Sequence, residues 1–257
     1  MRELREEYLE AAEGLKNRLT AMSDEFFRKP ELGLEEERTS AMMQEALKEA
    51  GFSIDSGVAG MKTAFKASFG SGSPRIALLA EMDALPGIGH GCGHNIAGMA
   101  SVGAGIALAR TLSSRLKPGE GTILVLGTPA EELGKGKLEM IKAGIFDGVD
   151  ASMMVHGSSR RTVLKHFLGL ERLNFTFCGK ASHASAYPEE GINALDAVIL
   201  LFNSIGLLRQ QSRSDVRIHG IITDGGRKPN IIPERAAASF YVRANDLKEL
   251  ASVKQRV

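Results

Sequence analysis

Three short apolar runs punctuate the first 155 residues, and each ends in side chains able to do chemistry. RIALLA at 75–80 runs into Glu-Met-Asp, TILVLG at 122–127 runs into Thr-Pro-Ala-Glu-Glu, and ASMMV at 151–155 runs into His156. A continuous apolar run of this length reads as a strand covered on both faces. Helical periodicity fills the gaps. Leu4, Tyr8, Ala11, Leu15, Leu19, Met22 and Phe26 form one stripe of an amphipathic helix that Pro30 ends. A second helix spans 35–50 and stops at Gly51, residues 62–69 alternate as a strand, a small-residue helix covers 98–116, and a short helix covers 138–143. Strands alternating with helices predict a mostly parallel α/β sheet with flanking helices over residues 1–168.

Beyond Gly169 the pattern changes. Residues 171–177 alternate polar and apolar as a strand with one wet face, residues 191–211 form a helix, and strands at 216–223 and 236–243 flank a Gly/Pro loop. Asn245 or Asp246 caps a closing helix. The order β-α-β-β-α predicts a ferredoxin-like α+β domain over residues 169–257, without its last strand.

Composition excludes several classes. The chain has 257 residues, 43% hydrophobic and 25% charged, with a net charge of +1 and no Trp. Such a balanced chain has no global attraction for nucleic acid or an anionic membrane, and few aromatic platforms for bases. The charged N-terminus has no signal-peptide core, and the most apolar later stretch, near residues 197–208, is too short to span a bilayer. Two cysteines, Cys92 and Cys178, make no disulfide scaffold, so the expectation is a reduced, cytoplasmic protein. Cys178 is read as a small buried hydrophobe.

Ligands in open α/β sheets bind beyond the carboxyl ends of the strands. Asp83, Cys92, His94, Glu131, Glu132 and His156 all fall there. Thiolate, imidazole and carboxylate together suit a divalent transition metal. The paired glutamates allow one carboxylate to bind metal while the other serves as general base. Taken singly, His156 reads as a surface residue, Glu131–Glu132 as a solvated loop and His90 as a loop lining; three strand ends carrying metal-type ligands together favour a metal site. The chain has no dinucleotide fingerprint, no Gly-x-Ser-x-Gly elbow and no phosphate-loop spacing at GKGK, residues 134–137. A cysteine-protease pairing of Cys92 with His156 leaves the paired glutamates unexplained.

The motifs EMDALPGIGHGCGHN, GTPAEELGKGK, MMVHG, GKASHAS and KPNIIPE occur in that order. Together they resemble the aminoacylase and glutamate carboxypeptidase superfamily of co-catalytic metallopeptidases, within the amidohydrolase branch of indole-acetyl-amino-acid hydrolases, aminobenzoyl-glutamate hydrolases and related dipeptidases. The resemblance implies a zinc-peptidase-like catalytic domain, two divalent ions (Zn or Mn) and a lid domain that dimerises. It implies Cys92, His94, Glu132 and His156 as metal ligands and Glu131 as the base. Asp83 would orient the site, and His183 would stabilise the oxyanion in the partner subunit's site. Asn230 and Arg243 would contact the substrate, Arg243 clamping a carboxylate. By themselves these last three read as a turn histidine, a turn asparagine and a strand-end charge.

The pattern departs at Asn95, which cannot bridge two metals as an anion, and at Glu81, where other branches carry a ligand histidine. Family members also continue well past this length and supply one more histidine ligand; His166 and His219 are available here but match no motif. The chain thus reads as a C-terminally truncated homologue or fragment whose catalytic sheet exposes an edge. The implied activity is hydrolysis of the amide bond of an N-acyl amino acid or dipeptide by a metal-activated water. The alternatives are an inactive homologue that retains the fold and lid dimerisation, and a metal-storage or sensing module.

Overall fold

A computed structural model describes residues 2–163 and 167–257. It forms two compact units, Met1–Arg160 and Arg161–Val257. His166 lies outside the described residues.

The first unit carries helices α1 (Arg2–Glu13), α2 (Lys16–Arg28) and α3 (Glu37–Glu49), then strands β1 (Ser53–Ser56), β2 (Phe65–Gly72) and β3 (Arg75–Glu81). Helix α4 (His94–Leu112), strand β4 (Glu120–Thr128), helix α5 (Gly136–Lys142) and strand β5 (Ala151–Met153) follow. The N-terminal stripe is helical but not continuous. The helix stops at Gly14, where the Leu15 N–H bonds back to the Ala12 carbonyl, and restarts at Lys16. Glycine costs about 1 kcal/mol relative to Ala inside a helix, so a break there is cheap. Tyr8, Ala11, Leu15, Leu19, Met22 and Phe26 still share one core cluster. Helix α3 ends as its sequence predicts. Gly51, at φ +90°, donates to Lys48 O, and Phe52 donates to Leu47 O while both side chains are buried. This double bond with its apolar contact is the Schellman closure.

The five strands are ordered β1-β2-β4-β3-β5. The sheet is mixed: β3 runs parallel to β4 and β5, whereas β2 is antiparallel to both β1 and β4. The polar strand β1, with Ile54 its one apolar residue, carried no sequence signal. Helices cover both faces around the central strands. In β4, Ile123 and Val125 face the cluster that holds Phe26, Leu47 and Ile106, while Leu124 and Leu126 face Met61, Ala77 and Met140. That two-sided burial is why β4 reads as an unbroken apolar run. Strand β5 departs from the expected burial: all three of its residues are exposed because it forms the sheet's edge beside β3.

The second unit holds β6 (Gly169–Cys178), β7 (Ser182–His183), α6 (Ala194–Leu208), β8 (Arg217–Asp224), β9 (Ile231–Ile232), β10 (Arg235–Ala244) and α7 (Leu247–Arg256). An antiparallel sheet β6-β10-β8 packs one face on α6 and α7 through Val198, Ile205, Phe240, Val242, Leu250 and Val253. Its other face alternates outward, giving β6 its polar–apolar period. Asp246 is the cap of α7, accepting from the Glu249 N–H at 2.8 Å. Cys178 is exposed rather than buried, since it closes β6 on that outward face. No helix among the described residues is long and apolar enough to cross a membrane.

Candidate metal centre

Parallel pairing brings the carboxyl ends of β3, β4 and β5 to one rim of the first unit. Three local devices aim side chains into that rim. The chain leaves β3 through Glu81, Met82 and Asp83, all essentially buried. It returns as α4, which begins at His94 immediately after Gly93 in the left-handed region, φ +77°. The helix then lies against the strand end. A Cβ on Gly98 would stand 2.3 Å from the Glu81 carbonyl oxygen, so only glycine permits this approach. At the end of β4, Ala130 adopts φ +54°, an unusual conformation for a side chain with a Cβ. The buried Glu36 carboxylate accepts the Ala130 N–H at 2.8 Å and the Thr63 hydroxyl at 2.8 Å, holding the turn that presents Glu131 and Glu132. Burial raises the Glu36 pKa.

His94 is the hub and is fully buried. Its Nδ1 bonds to the Asp83 carbonyl at 2.9 Å and to Asp83 Oδ1 at 3.1 Å. Its Nε2 faces Glu81 Oε2 at 3.3 Å and Glu131 Oε2 at 3.9 Å. His156 Nε2 is 3.6 Å from the same Glu81 oxygen. Asp83 Oδ2 in turn accepts the Glu132 N–H at 2.9 Å, linking the two strand ends. Two donor groups result, Glu81–His94–His156 and His94–Glu131–Glu132, each with its ligand atoms within 4.8 Å of one another. They share His94.

The polar atoms at the centre lack ordinary partners. Glu81 Oε2, His94 Nε2 and Glu132 Oε1 are buried and make no hydrogen bond. Burying such groups unpaired is costly, and cations bound in the two donor groups would give them partners. A ligand histidine whose far nitrogen is fixed by a carboxylate and a carbonyl is the arrangement metal sites use. The residues present therefore fit the two ions implied by the motifs. Cys92 is outside both donor groups. The neighbouring Glu132 carboxylate, burial and the charges of Glu131 and Asp83 push its thiol up to about 11.

The other titrations follow the same crowding. For His94, burial alone lowers the pKa, but the Asp83 hydrogen bond and the Glu81 and Asp83 charges outweigh it and raise the value to about 9. Burial also opposes the shift of Asp83, yet the bonds from His94 and from the Glu132 N–H hold its carboxyl below the usual range. Glu131 is raised, chiefly by burial, against the opposing charge of Lys137. His90 is buried with both ring nitrogens unpartnered, and burial lowers its pKa.

A pH dependence follows. The folded pKa of His94 lies above its unfolded value near 6.5, so protonation stabilises the metal-free fold fully below pH 6.5 and is lost as pH rises through about 9. Urea melts in chelator are expected to lose up to about 3 kcal/mol over that window, with the slope flattened in His94→Gln. Metal affinity is expected to run the opposite way, rising with pH, because a cation must displace the protons of His94 and Cys92.

Comparison with known proteins decides the lineage. Residues 168–257 match the M20 peptidase dimerisation domain. The chain is 40% identical over 252 residues to the mouse (Mus musculus) Xaa-Arg dipeptidase, covering 94% of this chain and 57% of that protein. It is 34% identical over 267 residues to one of the two chains of the p-aminobenzoyl-glutamate hydrolase of Escherichia coli K12, covering 96% of this chain and 55% of that protein. The chain belongs to the M20 peptidase family. It spans a little over half the length of these two relatives. In fold, this M20 chain resembles a dinuclear metal-binding peptidase of the same family from Bacillus subtilis. That match has a TM-score of 0.71 at 21% identity, covering 95% of this chain and 68% of that one.

The remaining motif residues of this M20 chain sit in the second unit. Pairing of β7 with β9 sets His183 opposite Ile231, and the Ala184 N–H donates to the Asn230 carbonyl at 3.0 Å, so His183 and Asn230 are neighbours. His183 is exposed, and its Nδ1 accepts the Ala186 N–H at 3.2 Å. An accepting Nδ1 leaves Nε2 as the protonated, donating nitrogen of the neutral ring. Arg243 lies on the outward face of β10 with its guanidinium 5.9 Å from the Tyr241 ring, and its Nε is unpartnered. His219 packs edge-on to Tyr241, with ring centroids 5.7 Å apart.

Two first-unit residues take positions that their sequence context did not assign. Asn95, beside the ligand motif, turns its amide to Ser23 Oγ at 2.9 Å and ties α4 to α2. Glu81 joins His94 and His156 in a donor group. The signal available for Glu81 was its place at the mouth of a buried strand, two residues before Asp83.

Proposed function

We propose that this chain carries the metal centre of an amidohydrolase that cleaves the amide bond of an N-acyl amino acid or a dipeptide. The observation that carries this reading is the convergence of three buried, unpartnered ligand atoms, Glu81 Oε2, His94 Nε2 and Glu132 Oε1, at the mouths of two adjacent strands. The relatives support it in kind, being named as a dipeptidase and an aminobenzoyl-glutamate hydrolase.

In this reading Cys92, His94, Glu132 and His156 hold two divalent ions, zinc or manganese, with Glu81 beside them. The bound ions supply Lewis acidity to the scissile carbonyl and acidify the attacking water. Asp83 holds the His94 ring through Nδ1 and so fixes Nε2 as the coordinating nitrogen. Glu131 takes the proton of the attacking water and returns it to the leaving amine. Its raised pKa makes it a stronger base than an ordinary surface carboxylate. Glu132 is pinned by its backbone to Asp83, whereas the Glu131 side chain is 41% exposed and open to substrate.

His183, with its donating Nε2, stabilises the oxyanion in a second copy of the chain, paired through the dimerisation domain. Asn230 contacts the substrate, and Arg243 clamps its carboxylate with a planar fork. A reduced, cytoplasmic setting fits two free cysteines.

The test is hydrolysis of a panel of N-acyl amino acids and dipeptides before and after dialysis against chelator. Activity that disappears on metal removal and returns with zinc or manganese is the expected result. A metal-replete, folded dimer that cleaves none of the panel sinks the hydrolase reading and favours a homologue that keeps fold and dimerisation without catalysis.

A further inference from the structure

Lys137 has entered so far only through the effect of its charge on Glu131, yet it reaches into the centre. Helix α5 begins at Gly136, where a Cβ would stand 1.7 Å from the Pro129 carbonyl oxygen. The start of α5 is thus pressed against the exit of β4, and the next residue is delivered to the rim. Lys137 Nζ donates a short hydrogen bond to Glu81 Oε1. The Glu81 side chain is 2% exposed and that of Lys137 is 28% exposed, so this is no solvated surface pair. Lys135, two residues earlier, is exposed and makes no contact with Glu81.

A buried carboxylate needs a partner for each oxygen. Oε1 has the ammonium. Oε2 has no hydrogen bond and stands 3.3 Å from His94 Nε2 and 3.6 Å from His156 Nε2. Tethering one oxygen fixes the rotation of the carboxylate plane and directs the other at both imidazoles. It also keeps Oε1 from turning inward, so the group meets a cation through one oxygen.

Resting on the metallohydrolase reading above, we propose that Lys137 is a positioning residue of the metal centre: by holding Oε1 of Glu81 it presents Oε2 as a metal ligand beside His94 and His156. Glu81 is then a ligand in its own right, at the position where other branches carry a ligand histidine.

The experiment is titration of metal-free protein with Co(II), followed by calorimetry and by visible absorption, which reports the number and type of ligands. K137M is expected to weaken the binding of one ion about 10–100-fold, as loss of an outer partner does elsewhere, and to alter the absorption envelope. K137R, which keeps a donor and a charge, is expected to recover much of the affinity, and K135M is expected to match wild type. In a Glu81→Gln background K137M is expected to cost nothing further. K137Q carries the same expectation should K137M fail to fold. Wild-type affinity and spectrum in folded K137M or K137Q overturn the proposal, as does an undiminished further loss in the Glu81→Gln background. Failure of wild type to bind Co(II) at all overturns the metallohydrolase reading instead, so the two failures are distinguishable.

Discussion

Dialysed protein is expected to carry close to two divalent ions per chain, and His156→Ala and His94→Ala about one each. The geometry gives the reason. His156 falls in one donor group and His94 in both, but with Nδ1 held by Asp83 the single lone pair of Nε2 coordinates one ion at a time. Elemental mass spectrometry on the three proteins reads the result directly. His156 is exposed, so its loss leaves the fold intact. His94 is fully buried, and its removal strands the buried Asp83 carboxylate without its main partner, a change that costs about 3–5 kcal/mol. Circular dichroism on His94→Ala therefore accompanies the count. Ions at a thousandfold excess over their dissociation constant add about 4 kcal/mol to the stability of wild type. A rise on the order of 10 °C in the melting of the first unit is the corresponding signature. Two ions retained in His156→Ala remove that residue from the ligand set. Two ions retained in His94→Ala remove His94 from the ligand set.

Glu131→Gln is expected to lower turnover about 10²–10⁴-fold, the usual contribution of a general base, while the metal count and substrate affinity stay near wild type. Glutamine keeps the shape of glutamate and cannot take a proton at neutral pH. Glu131 and Glu132 are adjacent and both fall in a donor group with His94, so the assignment of base and ligand rests on how each is held. Glu132 has a buried, unpartnered Oε1 and a backbone anchored to Asp83, as a ligand requires. Glu131 is partly exposed and has a raised pKa, as a base requires. Glu132→Gln is accordingly expected to lose metal as well as activity. If Glu131→Gln loses an ion, the two roles are exchanged; if it keeps full turnover, Glu131 is not the base.

The contrast between these carboxylates also marks what a sequence conveys. Burial on both faces leaves a direct trace in composition, so β3 and β4 were legible as apolar runs, and the chemistry at their ends as strand-end motifs. The same reasoning misjudged β5, because an apolar run says nothing about whether a neighbouring element covers it, and here β5 is the sheet's edge. Strand β1 left no trace because its residues are mostly polar and exposed. Cys178 misled for a related reason: residue type sets a tendency to be buried, and position on a strand decides.

The linear order of residues by itself determined the two-part organisation of the motifs, the helix boundaries at Gly51 and Asp246, and the set of residue types offered to a metal. Those depend on local backbone preference and on side-chain chemistry, both carried by neighbours in the chain. Only the tertiary structure decided that Glu81 meets His94 and His156, that Lys137 holds Glu81 from 56 residues away, and that Glu36 props the Ala130 turn from 94 residues away. These contacts join strand ends, a helix start and a distant loop. They exist because parallel pairing and close helix packing bring those termini to one rim, where buried charges must find partners.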